Sequence, residues 1–352
     1  MPQIHQLIHN RTFSTVLLVL ALLGVLFFGL RPKDYDFTNR VALIKGGHGL
    51  QFEKYGLAYT QPFDERTRQH LAKVEGFSVT LDFQLQPRPN DGFSLVLCLN
   101  NGDDDEQLII GQWRTHIIAM NGDDYAHKRK VPRISFDMAG LNLSRTVLTL
   151  TSGKNGTRIY ANGGLIKEKA GLTLKMPTRK KTRLILGNSP YGRHSWRGAL
   201  YGLGFYGGVL SANGIDSLIL YDFDKIEDGM VKDRSGNGVH LLIPQSASPI
   251  KKKILAVPWH DFGADSGFFW DLVLNFLGFV PLGFLLTTVL TQSASLSLQK
   301  GVLITILTCF FLSLCIEVAQ AWMPSRSSSM LDLVMNTFGA GVGAGLVRLR
   351  RS

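Results

Sequence analysis

The chain sets long unbroken apolar runs at its two ends around a middle of short alternating ones. From Phe13 to Leu30 almost every position is apolar, with Arg11 before the run and Arg31-Pro32-Lys33 after it. Three further apolar runs close the chain, at about 267–290, 301–322 and 330–347. Each approaches the roughly 20 residues that a helix needs to cross the hydrocarbon of a bilayer. The pattern predicts four spanning helices. A secretory signal has a shorter apolar core and a small-residue cleavage site. Leu30-Arg31-Pro32 offers no such site, so the first run is expected to remain as an anchor.

Between 34 and 258 the apolar period changes to two. Runs such as Phe77 to Phe83, Phe93 to Leu99, Thr146 to Thr151, Arg158 to Tyr160 and Leu184 to Leu186 recur between turn signals. Those signals are Asn101-Gly102, Asn121-Gly122, Asn155-Gly156 and Asn162-Gly163. Asn-Gly tolerates the left-handed backbone that a tight hairpin turn demands. Many short strands at this spacing predict a sandwich or barrel, and helical periodicity is nearly absent. The expected division is therefore 1–33, 34–258 and 259–352: an anchor, an all-β domain and a three-helix membrane region.

Composition sharpens this outline. With 38 Lys and Arg against 27 Asp and Glu, the 352-residue chain carries a formal charge of +11. Such an excess suits nucleic acid, or an anionic membrane and envelope polymer. The spanning runs favour the second, because no nucleic-acid motif accompanies the charge. Of the three cysteines, Cys309 and Cys315 lie in an apolar run, which leaves Cys98 alone in the polar middle. That count allows neither a disulfide framework nor a zinc spacing.

The C-terminal runs also contain side chains that lipid penalises. They are Asp271 and Asn275, Glu317 and Gln320, Asp332 and Asn336, with Arg326 in the loop before the last run. Spacing of i, i+4 sets Asp271 with Asn275, and Asp332 with Asn336, on one helix face each. Arg11, Lys300, Arg348, Arg350 and Arg351 fall on one side of the membrane, and Arg31, Lys33 and Arg326 on the other. This bias predicts cytoplasmic termini and an outer-leaflet position for the polar cluster. The strings starting at Asp271 and Asp332 agree at Asp, Leu, Val, Asn and Gly, as either a parallel repeat or chance would produce.

Structural roles compete with a functional one. Ser329 and Asp332 have the spacing of a helix cap. Arg326 is suited to neutralise a carboxylate and set helix register. No local cap accounts for Glu317. Gly278, Gly283, Gly339 and Gly343 suit close helix packing. In the middle region, Asp103, Asp104 and Asp105 invite either calcium or a plain solvated turn. Trp113, Tyr191 and His194 are candidate sugar-stacking residues, whereas Trp196 is expected in the core.

The string D-x-x-x-N-x-x-G-F-x-P-L-G from Asp271, E-x-x-Q from Glu317, P-x-R ending at Arg326, and D-x-x-x-N-x-x-G-x-x-x-G from Asp332 resemble the VanZ-like membrane family. The resemblance implies a bacterial cytoplasmic-membrane protein associated with the cell envelope. Members often carry His where Asn275 stands, which weakens any expectation of proton handling there. A second resemblance rests on Arg158 to Gly163, Leu186-Gly187-Asn188, Trp196 to Tyr201, Leu210-Ser211, Tyr221 to Asp224 and Val231 to Gly238. These look like the laminin-G-like, concanavalin A-like family, which implies a jelly-roll sandwich that binds carbohydrate or protein. The E-x-D-x-x-E strand of related laminarinases is missing, so a binder is expected before an enzyme.

The combined expectation is a multi-domain membrane protein with four transmembrane α-helices and an extracytoplasmic all-β jelly-roll sandwich. Its expected partners are the lipid bilayer, an envelope glycan or lipid-linked glycan, and another membrane protein, but not nucleic acid. Calcium is the one cofactor in view. Three functions remain open: an envelope-glycan receptor, a transporter or enzyme for a lipid-linked glycan at the outer leaflet, and a membrane scaffold.

Overall fold

The computed structural model describes residues 11–31, 38–86, 92–141, 144–209, 217–252, 254–257, 266–293, 296–323 and 326–351. Pro32, Lys33, Leu210, Ser211 and Pro324, all used above, lie outside the described residues. The chain divides into two compact units, 36–251 and 1–35 with 252–352.

The first unit is a sandwich of two antiparallel sheets. One sheet runs β1 (Val41–Leu43), β2 (Leu50–Phe52), β13 (Gly198–Gly207), β4 (Phe77–Leu85), β9 (Thr146–Gly153), β10 (Gly156–Ala161) and β11 (Gly164–Lys169), with β14 (Ser217–Asp222) also on β13. The other runs β15 (Met230–Val231), β16 (Leu241–Leu242), β3 (Ala58–Thr60), β12 (Arg183–Leu186), β5 (Ser94–Asn100), β6 (Leu108–Trp113), β7 (His116–Asn121) and β8 (Arg133–Asp137). Period-two patterning places the core. Along β4, Phe77, Val79, Leu81, Phe83 and Leu85 all point inward and are buried. Each such side chain contributes about 1.5–3 kcal/mol by leaving water. Trp196 is fully buried, as expected, and its indole N–H donates to Gln112 Oε1 at 2.8 Å.

Between β10 and β11, Ala161 pairs with Gly164, leaving a two-residue loop. Asn162 and Gly163 take φ of 49° and 83° there, the left-handed pair that the Asn-Gly signal anticipated. Two features were not anticipated. Helix α2 (Glu65–Lys73) is capped by Asp64, whose carboxylate accepts the Thr67 N–H at 2.7 Å. It buries only Thr67 and Leu71, too few positions to print a helical period. Strand β5 is buried at every position, because a second apolar cluster covers its outer face. Phe93, Leu95, Cys98, Ile109 and Met120 belong to that cluster.

The second unit holds α1 (Arg11–Leu30), α3 (Ser266–Ser293), α4 (Leu298–Ala321) and α5 (Met330–Arg351). Among the described residues these four are long and apolar enough to cross a membrane. Helices α3 and α5 meet backbone to backbone. A Cβ at Gly339 would overlap the Phe276 carbonyl, one at Gly343 the Val280 carbonyl, and one at Gly283 the Ala340 carbonyl. Gly278 departs from the packing role expected of it, since a Cβ there meets nothing within 4 Å. Helices α3 and α4 share a buried hydrogen bond from Thr287 Oγ1 to Thr305 Oγ1 at 2.8 Å. A short strap before α3 joins the start of α5: Leu255 N–H donates to Ser328 Oγ at 2.9 Å, and Met330 N–H to the Ala256 carbonyl at 3.1 Å.

Candidate functional site

One cavity of about 700 Å³ opens at the end of the helical unit where α1 and α4 finish and α3 and α5 begin. Asp271, Asn275, Glu317, Gln320, Arg326, Asp332 and Asn336 all line it. Its remaining wall is largely apolar, with Val25 and Phe28 from α1, Leu274, Leu277 and Phe279 from α3, and Ile316 from α4. The geometry brings together, from three helices and a loop, all seven polar residues singled out in the apolar segments. Helix α1 supplies part of the wall, which no polar signal in its sequence announced.

Helix ends explain much of the arrangement. The last carbonyls of a helix have no partner inside it. At the end of α1 they are met by Arg326, whose Nε donates to the Arg31 carbonyl at 3.1 Å and Nη2 to the Phe28 carbonyl at 2.7 Å. Gln320 Nε2 adds a third donor, to the Gly29 carbonyl at 2.8 Å. Arg326 thus closes α1 and makes no ion pair with Asp271, Glu317 or Asp332 among the described residues, so the carboxylate pairing that was one of the two roles considered for it is not formed.

At the start of α5 the capping is shared between helices. Ser329 Oγ accepts the Leu331 N–H at 3.2 Å, in the manner of an N-cap. The Ser329 N–H itself donates to Glu317 Oε2 at 2.7 Å. Glu317 is 1% exposed. It does in space what Asp332 was spaced to do along the chain, and local sequence could not reveal it. Asp332 is released from the cap and faces the Asn275 carboxamide.

Asn336 is 4% exposed and donates through Nδ2 to Ser313 Oγ at 2.9 Å. Its Oδ1 is buried without a hydrogen-bond partner. Ser313 was missed in the sequence, because a serine on an apolar helix carries no distinctive pattern. Pro281 lies inside α3 and has no N–H to give the carbonyl four residues earlier, that of Leu277. The two similar strings are not equivalent in space. Gly339 is pressed against α3 while Gly278 is open, and Asn336 is buried while Asn275 is only half-buried.

Each sandwich candidate has its own surroundings. Trp113 is 41% exposed at the β6–β7 turn, under the Arg114 guanidinium at 4.7 Å. Tyr191 is held beyond the other end of β6, its hydroxyl donating to Asp104 Oδ2 at 2.6 Å. Burial and the Asp104 carboxylate push the Tyr191 phenol up. His194 packs on Tyr125 with ring centroids 4.3 Å apart, and its Nδ1 is buried without a partner. Burial, with Arg193 beside it, lowers its pKa to about 4.

The three aspartates proposed for calcium do not form a ligand set either. Asp103 faces Arg179 at 3.3 Å, Asp104 faces Lys251 at 3.0 Å, and Asp105 faces Arg129 at 3.0 Å. Each carboxylate is turned to a different cation. Among the described residues no group of three or more His, Cys, Asp or Glu is placed to hold a metal.

Residues 218–351 match the VanZ/LLP1 family. The match begins inside β14 and runs through α3, α4 and α5, so the cavity's polar residues all fall within it. No curated protein matches the chain. Among solved structures, the receptor-binding domain of the botulinum neurotoxin C/D mosaic serotype is similar at 14% identity, over 50% of this chain and 43% of that one, with a TM-score of 0.38. A structure of botulinum neurotoxin type C, whose cell entry is dependent upon interaction with two ganglioside molecules, is similar at 14% identity, over 49% of this chain and 43% of that one, with a TM-score of 0.37. The chain therefore spans less than half the length of these solved chains.

Proposed function

We propose that this chain is a four-span integral protein of the bacterial cytoplasmic membrane that receives an envelope glycolipid in the cavity of its helical unit. The observation that carries the reading is the meeting of seven polar side chains at one end of four apolar helices, in a cavity whose other wall is apolar. Polar groups on spanning helices are costly unless they face a bundle interior or a cavity. The arrangement suits an amphiphile, with a saccharide head among the polar groups and its chain along Leu274, Leu277 and Ile316. The VanZ/LLP1 match and the four apolar helices support residence in a membrane. The basic residues flanking the helices support cytoplasmic termini, an extracytoplasmic sandwich and a cavity at the outer leaflet.

In this reading the sandwich is a binding module for envelope polymer, although His194 Nδ1 is buried and the Tyr191 hydroxyl is engaged with Asp104. The helical cavity is the better candidate, and binding rather than catalysis is the activity its geometry supports. The test is photo-crosslinking of the full-length protein, in bilayers, with a glycolipid carrying a diazirine near its head. Label is expected on peptides from α1, α3, α4 and α5 that line the cavity, and to be competed by unlabelled glycolipid. Uniform label over the outward helix faces would overturn the reading.

A further inference from the structure

The hydrogen-bond inventory of the cavity is one-sided, and this bears on which head group it takes. Its donors are largely spent inside the protein. Gln320 Nε2 serves Gly29, Arg326 Nε and Nη2 serve Arg31 and Phe28, Asn336 Nδ2 serves Ser313, and the Asn275 carboxamide serves one side of Asp332, whose carboxylate keeps further acceptor capacity. Its acceptors are in surplus. Asn336 Oδ1 is buried and unpartnered, the Leu277 carbonyl is deprived of its helical donor by Pro281, and Asp271 and Asp332 form no ion pair among the described residues. A buried polar atom left without a partner is costly, so an orphan acceptor on a cavity wall marks a place for a donor.

Charge points the same way. Three carboxylates, Asp271, Glu317 and Asp332, line the cavity against one guanidinium, that of Arg326. A phosphate would meet net negative charge. A neutral sugar would satisfy the acceptors and leave the charge. A primary ammonium meets both needs, since it carries three N–H donors and a positive charge.

Resting on the glycolipid reading above, we propose that the head group bears a free primary amine, as an unacetylated amino sugar does. Its ammonium donates to Asp332, to Asn336 Oδ1 and to the Leu277 carbonyl. Asp332 and Asn336 stand four residues apart on one face of α5, and Leu277 is on the neighbouring α3. Asp271, which is exposed, accepts from the rim of the same head.

The test compares matched probes on the full-length protein in a neutral detergent: octyl glucosaminide, its N-acetyl derivative, octyl glucoside and octyl phosphate. Thermal unfolding against probe mole fraction reads the binding. A charge-assisted hydrogen bond of about 1.5–3 kcal/mol is at least about tenfold in affinity. The free amine is therefore expected to bind about tenfold or more tightly than the glucoside or the N-acetyl form. Asp332→Asn should erase that preference, so that the free-amine and N-acetyl probes bind alike. If that protein fails to accumulate, Asp271→Asn at the exposed rim should reduce the preference. Asn336→Val should also reduce it, and add little to Asp332→Asn, because the two act on one group. Equal binding of all three sugars would overturn the amine assignment and leave the glycolipid reading standing. Failure of every sugar to bind would overturn both. Preference for octyl phosphate would also overturn the amine.

Discussion

Glu317 illustrates how a buried carboxylate is held in an apolar helix. Its partner is the Ser329 N–H at the start of α5, so the side chain joins two helices rather than decorating one. Glu317→Leu removes the acceptor and strands that N–H. A loss of about 1–3 kcal/mol is expected, read as a fall in the unfolding midpoint of the purified protein. Glu317→Gln retains an acceptor oxygen and should lose clearly less. Equal stability of the Leu variant and the parent would dismiss the shared cap. His194 carries a different expectation. Its folded pKa of about 4 lies below the ordinary histidine value of 6.5. The unfolded chain therefore binds the extra proton first as pH falls through that interval. The sandwich should lose stability from about pH 6.5 down to about pH 4, and His194→Gln should flatten that part of the profile. Thermal melts across this range decide it, and an unchanged slope would refute the role of this imidazole.

At the level of elements, the two glycine strings separate into different physics. On α5, Gly339 and Gly343 sit where any Cβ would enter the backbone of α3. Gly339→Leu should therefore disrupt the α3–α5 contact and sharply reduce the yield of folded protein. On α3, Gly278 has open space around its Cβ position. Gly278→Ala removes the backbone entropy cost of a mid-helix glycine, about 0.5–1 kcal/mol, and should be neutral to stabilising. Circular dichroism melts of the two variants compare them directly, and similar damage from both would contradict the packing described. The sequence shows both strings as D-x-x-x-N-x-x-G with equal clarity. It cannot show which copy faces a neighbour, because that depends on the rotation of each helix about its own axis.

For the molecule as a whole there are two expectations, one from the division into two units and one from the topology proposed on the flanking basic residues. Residues 36–251 have their own core and hydrogen-bonded sheets, and should fold alone with a β-type circular dichroism spectrum. A helical or unordered spectrum would count against their independence. A reporter active only outside the cytoplasm should work when fused near Asn155 and fail when fused after Ser352. The reverse pattern would move the cavity to the inner leaflet. Four apolar helices, the strand-rich middle, the Asn162-Gly163 hairpin and the seven polar residues were legible in the sequence. Period, turn chemistry and the cost of polarity in lipid are local properties, and composition records them. Tertiary structure alone decided that Glu317 caps α5, that Arg326 closes α1 rather than pairing with a carboxylate, and that Asn336 keeps an unpaired acceptor. It also decided that the Tyr191 hydroxyl is tied to Asp104 and that the His194 ring packs on Tyr125. Those facts depend on which side chain meets which backbone end across tens or hundreds of residues, and only packing brings those groups together.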